Sequence, residues 1–226
     1  MRSPHVPSVT GVTSRIVSVN VGLPREVEWR GKLVRTGIFK RPATGPVRIG
    51  RLNLAGDGQA DPAVHGGPNK AVYLYPSEHY AAWQELTGPL DWGAFGENLT
   101  AEGVAEADAC IGDRWRAGTA ELLVTQPRLP CFKLANRMGV PDFERRFLAS
   151  GRTGFYFGVA SEGEVAAGDP LTLVDRPADA VSVADVVRAY GAEHPDRATL
   201  ERLVALPGLP DGMRRHFRRR LDNQAE

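Results

Sequence analysis

The sequence is short of several things that would decide its function early. No apolar run approaches the roughly 20 residues of a membrane span, and the start Met1-Arg-Ser-Pro-His-Val-Pro carries no apolar signal core, so the chain is expected to stay in the cytosol. Charge of one sign is also lacking. With 28 basic and 27 acidic residues the formal charge is +1, which gives no global attraction to nucleic acid or an anionic membrane. Only 2 cysteines occur, and in a reducing compartment they are not assumed to form a disulfide framework. No Gly-x-Gly-x-x-Gly opens a helix after a strand, there is no Cys-x-x-Cys, and the histidines at 5, 65, 79, 194 and 216 have no metal-ligand spacing. Recognisable nicotinamide, flavin, iron–sulfur and zinc sites are therefore excluded.

What is there reads as one main domain with an appendage. Residues 1–14 form a loose leader rich in Pro, Ser and Thr. Over 15–176, short apolar stretches (16–21, 72–75, 121–125, around Val159, 171–174) recur between Gly, Pro and Asp, which predicts a mainly β, barrel-like domain with a few peripheral helices. Helices are expected at 77–86 and 141–148. Over 177–226 the period changes. Ser182 is placed to cap a helix built on Val183, Val186, Val187 and Tyr190. A second helix begins near Ala198, and a third buries Met213, Phe217 and Leu221, giving a three-helix unit.

The most informative segment is Gln126-Pro-Arg-Leu-Pro-Cys-Phe-Lys133. Pro127 and Pro130 each fix a φ angle and remove a donor, so a strand ending at Thr125 must pass into a stiff loop presenting Cys131. Arg128 and Lys133 bring positive charge, which favours a thiolate for metal binding or nucleophilic attack. A packing cysteine is the commoner fate of a free thiol, yet it explains neither the prolines nor the cations. Cys110, before Ile111-Gly-Asp113, reads instead as a small apolar strand residue.

Other motifs are weaker alone. Gly66 and Gly67 permit close backbone approach to a ligand and Lys70 can meet a phosphate, while His65 reads first as a turn histidine. Lys40 and Arg41 suit an oxyanion, or simply a solvated loop. Glu97, in Gly96-Glu-Asn-Leu99, can orient a loop or a ligand amine, or satisfy turn backbone. Arg214, Arg215, Arg218, Arg219 and Arg220 form a basic face that is usually just solvated and can alternatively dock an acidic protein.

Taken in order, Gly56-Asp57, Val64-His-Gly-Gly67, Lys70-Ala-Val-Tyr-Leu-Tyr75, Phe95-Gly-Glu-Asn-Leu99, Ile111-Gly-Asp113 and the Cys131 segment resemble the MOSC domain, and more narrowly its YiiM branch with a C-terminal three-helix extension. The likeness spans about residues 15–225. It implies a β-barrel that binds the molybdenum cofactor (Mo-molybdopterin), with Cys131 as ligand to the metal. Asp57, His65, Gly66, Gly67, Lys70, Glu97 and Asn98 become pocket-lining candidates, with Lys40, Arg128 and Lys133 as cations near the cofactor phosphate or substrate and His65 or Glu97 for proton delivery. The implied activity is reduction of N-hydroxylated compounds such as 6-N-hydroxylaminopurine to amines, with electrons from a separate flavoprotein or ferredoxin-type donor, for which the charge of Arg214, Arg215, Arg218 and Arg219 offers a docking face as an alternative to a merely solvated one. Two other readings stay open: a non-catalytic carrier of cofactor or sulfur on Cys131, and a metal-free thiol enzyme pairing Cys131 with His65. A homodimer stands as a base-rate expectation.

Overall fold

A computed structural model describes residues 14–60 and 66–224. Among the described residues twelve strands are formed: β1 (Arg15–Val21), β2 (Arg25–Trp29), β3 (Lys32–Thr36), β4 (Arg41–Pro42), β5 (Val47–Ile49), β6 (Val72–Pro76), β7 (Leu99–Glu102), β8 (Arg114–Ala117), β9 (Ala120–Pro127), β10 (Phe155–Ser161), β11 (Gly163–Val165) and β12 (Leu171–Asp175). The described helices are α1 (Tyr80–Thr87), α2 (Phe132–Met138), α3 (Phe143–Ser150), α4 (Val183–Gly191), α5 (Arg197–Ala205) and α6 (Asp211–Asp222), with 3₁₀ turns at Pro68–Lys70 and Ser77–His79.

Eight strands make one sheet in the order β12-β8-β9-β10-β6-β7-β1-β4. Every pair is antiparallel except β6 with β7, whose connection runs through α1. All five residues of β6 are buried, as its unbroken apolar run requires of a strand covered on both faces. The long β9–β10 pair carries two register shifts, at Tyr156/Phe157 and Val159/Ser161, which bend the sheet.

The expected mainly β barrel is not formed. Helix makes up about 29% and strand about 30%, so the fold is mixed α/β, and among the described residues no sheet closes on itself. The sheet curls until β1 meets the start of β12, where Ile16 donates to the Asp169 carbonyl at 2.9 Å and Leu171 to that of Ser14 at 2.9 Å. Between them the contact is a single bridge, Arg15 with Pro170, and proline has no N–H with which to extend a ladder. Two further pairs stand apart from the sheet: β5 with β11, and the hairpin β2–β3.

The C-terminal helices match the predicted pattern. Ser182 Oγ accepts from Asp185 N at 3.1 Å to cap α4, and Met213, Phe217 and Leu221 are buried on α6. Their apolar faces join the same core as Ile16, Leu74, Val124 and Phe157 of the sheet. A second, aromatic core lies under α1, α2 and α3: Tyr75 stacks on Phe95 with ring centres 4.1 Å apart, and Phe143, Phe147, Trp83 and Leu134 pack around them. This second core is the floor of the site.

Candidate functional site

Cys131 lies where β9 gives way to α2. The strand runs two residues past the expected end at Thr125, because Pro127 still pairs with Phe155 and Arg128 N donates to the Gly154 carbonyl at 3.2 Å. The chain then turns at once into α2, a helix that the two prolines hid. Cys131 holds the N-cap position with extended backbone, but its side chain makes no capping bond. Leu134 and Met138 are buried in the aromatic core and Gly139 ends the helix in the left-handed region, so α2 is clamped and Cys131 is fixed with it.

The half-buried thiol opens on a pocket of about 610 Å³, most of it open space at its mouth. Its walls bring together Lys40, Asp57, Lys70, Asn98, Arg128, Cys131 and Lys133. The segments 36–40 and 57–60 form one wall, and they approach so closely that a Cβ on Gly37 would stand 2.4 Å from the Gly58 carbonyl oxygen. Only glycine fits there.

Asp57 ties this wall to the sheet. Its carboxylate takes the ammonium of Lys40, the N–H of Gly22 at 3.0 Å and the amide of Asn98 at 2.9 Å. Asn98 in turn accepts from Tyr73 N at 3.1 Å. Burial pulls the Lys40 pKa down against the opposing pull of Asp57, so Lys40 is an internal counter-ion as much as a ligand for an oxyanion. Arg41 is exposed on β4.

Arg128 is the strongest charge in the pocket. It is 5% exposed, lies 5.4 Å over the rings of both Tyr73 and Phe147, and its Nη1 has no hydrogen-bond partner. Burial by itself lowers its pKa, yet the neighbouring Tyr73, Tyr156 and Cys131 outweigh that and raise it. A permanent cation with an unused donor, buried beside a thiol, is a place for an anion. Lys70 is also held down by burial, with Cys131 pulling it back up.

Three expected residues lie elsewhere. Glu97 is fully buried behind the wall, taking the Tyr80 hydroxyl, Gly93 N at 2.8 Å, Phe95 N at 3.1 Å and the Thr100 hydroxyl at 2.8 Å. Gly66 and Gly67 lead into the Pro68–Lys70 turn without lining the pocket, Gly67 at φ 87°. His65 falls outside the described residues.

The comparisons with known proteins agree with this geometry. Residues 61–172 match the MOSC domain, and residues 181–224 match the YiiM-like 3-alpha helix domain. The chain is 43% identical over 208 residues to the uncharacterized protein YflK of Bacillus subtilis, covering 92% of this chain and 94% of that one. The chain belongs to the MOSC-domain family, close to its YiiM and YflK members. The crystal structure of YiiM from Geobacillus stearothermophilus superposes with a TM-score of 0.77 at 39% identity, over 92% of this chain and 99% of that one. A protein of Gibberella moniliformis described as "Reductase" is 34% identical over 182 residues, which are 78% of this chain and only 32% of that protein.

Within this MOSC-domain chain, several lining residues had escaped the sequence reading. Tyr73 and Tyr156 face each other across the β6–β10 ladder with ring centres 5.1 Å apart, and Phe95, Thr36 and Gln59 complete the walls. Tyr73 and Tyr156 were signalled only as strand residues, and Phe95 and Gln59 lie in loops without a pattern. Cys110 behaves as expected, buried, with its thiol pushed up first by burial and then by Asp113. On α6, Arg214 donates to the carbonyls of Val204, Leu206 and Leu209 at 2.7, 3.1 and 2.9 Å, and Arg220 donates to four more ending α4. Arg215, Arg218 and Arg219 remain exposed. No described helix is long and apolar enough to cross a membrane.

Proposed function

We propose that this chain binds the molybdenum cofactor and reduces N-hydroxylated compounds such as 6-N-hydroxylaminopurine to amines, with Cys131 as the protein's ligand to the metal. The observation that carries it is the pairing, in one pocket, of a soft sulfur ligand with a buried guanidinium that has an unused donor. Among the described residues no three His, Cys, Asp or Glu side chains converge on a metal position. A metal at Cys131 therefore needs most of its ligands from an organic group, and the cations suit that group's phosphate. The family links the chain to molybdenum-cofactor biology, and similarity to a protein described as a reductase supports the reductive direction.

When bound, the cofactor supplies two-electron chemistry at the N–O bond. The chain supplies the surroundings. Arg128, Lys70 and Lys133 neutralise anionic charge, Tyr73 and Tyr156 give an aromatic wall, and the Lys40–Asp57–Asn98 node keeps segments 36–40 and 57–60 in place. Overall, R–NHOH takes two electrons and two protons to give R–NH₂ and water. Proton delivery falls to His65 in preference to Glu97, whose oxygens already receive four donors away from the pocket.

Protein made in a host that synthesises the cofactor tests this directly. We expect molybdenum by mass spectrometry in stoichiometric amount and amine formation from 6-N-hydroxylaminopurine with dithionite-reduced methyl viologen. Cys131→Ser is expected to lose more than the roughly 10–100-fold typical of an outer-shell change. Molybdenum without turnover would replace this reading with a cofactor carrier, and no molybdenum in either protein would favour a metal-free thiol enzyme.

A further inference from the structure

Residues 1–226 carry no nicotinamide, flavin or iron–sulfur motif, so a two-electron reduction in the Cys131 pocket is fed by a donor group outside these residues. Where a protein carrying that group docks is decided by which cations are free to receive it. Of the arginines on α6, Arg214 and Arg220 are engaged with backbone carbonyls. A second basic group lies at the pocket itself.

Phe39, next to the pocket residues Ile38 and Lys40, carries two guanidinium groups on its ring: Arg25 at 3.7 Å and Arg137 at 4.6 Å. Arg25 starts the β2–β3 hairpin, and Arg137 lies one turn beyond Lys133 on α2, on the same face. Lys133 lines the pocket. Among the described residues none of the three forms an ion pair. Burial lowers the Arg137 pKa and the like charge of Arg25 adds to it, outweighing the opposing pull of Glu97 and Asp91, as expected of two cations held close together.

Apolar surface adjoins these cations. Leu23 is 70% exposed and its side chain borders the position of Gly58, a pocket residue. Leu52 is 53% exposed, and its carbonyl is held by Gln59, another pocket residue, at 2.9 Å. The hairpin is anchored to α2 by Trp29 on Phe132, ring centres 5.7 Å apart, and by Asn136 donating to the Glu28 carbonyl at 3.3 Å. The rim of the pocket thus combines exposed leucines with unpaired cations, the make-up of a surface that meets a protein.

We infer that the rim formed by Arg25, Lys133 and Arg137 with Leu23 and Leu52 is the docking surface for an acidic electron-donating protein, which delivers its electrons at the mouth of the Cys131 pocket. This rests on the reductase reading above. A donor seated there stands over the reacting centre, whereas one on α6 meets helix surface that contributes nothing to the pocket lining. Rim charges of this kind govern encounter rate, so the contact is sensitive to salt.

The test uses the molybdenum-loaded protein with two electron sources: methyl viologen, and an acidic flavodoxin kept reduced by its NADPH-dependent reductase. Arg25→Glu with Arg137→Glu is expected to lower flavodoxin-driven turnover on the order of 10-fold, mainly as a raised KM for flavodoxin, and to flatten its salt dependence. Viologen-driven turnover and molybdenum content should stay as in the parent. Leu23→Ser, on exposed surface, should lower the flavodoxin-driven rate alone and covers the case in which the double reversal fails to fold. Arg215→Glu with Arg218→Glu should leave both rates unchanged. Equal loss with both electron sources would instead assign the arginines to an anionic substrate. Loss confined to the α6 variant would move the donor there, and a parent that runs on viologen but not on flavodoxin would overturn the acidic donor. A parent inactive with viologen fails at the reductase reading itself.

Discussion

Asp57 shows how much of the site is held by one buried charge. Its side chain is 3% exposed and that of Lys40 is 8% exposed, so each is the other's main replacement for water. Asp57→Asn keeps the shape and leaves the Lys40 ammonium buried without its counter-charge. The expected cost is about 3–5 kcal/mol. Its pH dependence carries the signature. Burial already places the Lys40 pKa below the ordinary 10.5, and removing Asp57 takes away the main opposing pull. A lysine whose folded pKa is depressed withholds stability as pH falls through that value, so the variant should recover toward alkaline pH, as Lys40 sheds its proton in the folded state. Urea unfolding of parent and variant at neutral and alkaline pH reads this. A penalty that does not shrink on going alkaline would mean that Lys40 is not the group left stranded.

At the scale of elements, the same arginine-rich helix separates structural from idle charge. Arg214 closes the α5–α6 connection by donating to the carbonyls of Val204, Leu206 and Leu209, whereas Arg215, one residue on, is exposed. Arg214→Ala should cost about 2–3 kcal/mol, since charge-assisted bonds to carbonyls are lost together. Arg215→Ala should stay within about 0.5 kcal/mol. Similar urea midpoints for the two would show the carbonyl bonds to be idle. The three C-terminal helices were readable because Ser182 stands where it caps the first and their apolar residues recur at three and four. Helix α2 was not readable, because Pro127 and Pro130 signal a loop and seven residues are too few to show a period. The β2–β3 hairpin was hidden too. Its turn is Arg30-Gly31, both at positive φ, with arginine where asparagine or aspartate is the usual signal, and half of its strand residues are charged. Short strands in quantity suggested closure, but whether a curled sheet closes depends on a handful of backbone groups, here an edge that meets at Pro170. The Cys131, Lys70 and Arg128 convergence was legible as ordered motifs, whereas Tyr73 facing Tyr156 required the register of two strands far apart in sequence.

At the scale of the whole molecule, the change of sequence period near residue 177 is not a change of core. Val183, Leu200 and Phe217 from the helices share one apolar cluster with Ile16, Val124 and Phe157 from the sheet. Cys110 forms a bridge to Ser182, and Ile111 N donates to the Val181 carbonyl at 2.9 Å, so backbone as well as side chains cross the junction. Folding of the helices and of the sheet should therefore be one transition. Phe217→Ala removes a fully buried ring from α6 and should cost about 3–5 kcal/mol. All four tryptophans, Trp29, Trp83, Trp92 and Trp115, lie outside the C-terminal helices, so their fluorescence reports on the sheet, the β2–β3 hairpin and the aromatic core, with Trp115 also sensing the cluster shared with those helices. Helical circular dichroism adds the C-terminal helices, which hold 30 of the 53 residues in the described α-helices. If the core is continuous, Phe217→Ala shifts both denaturation curves to the same lower midpoint. A variant whose tryptophan midpoint stays with the parent while its helical signal melts early would show that the three helices unfold by themselves and that the shared cluster does not couple them to the Cys131 site.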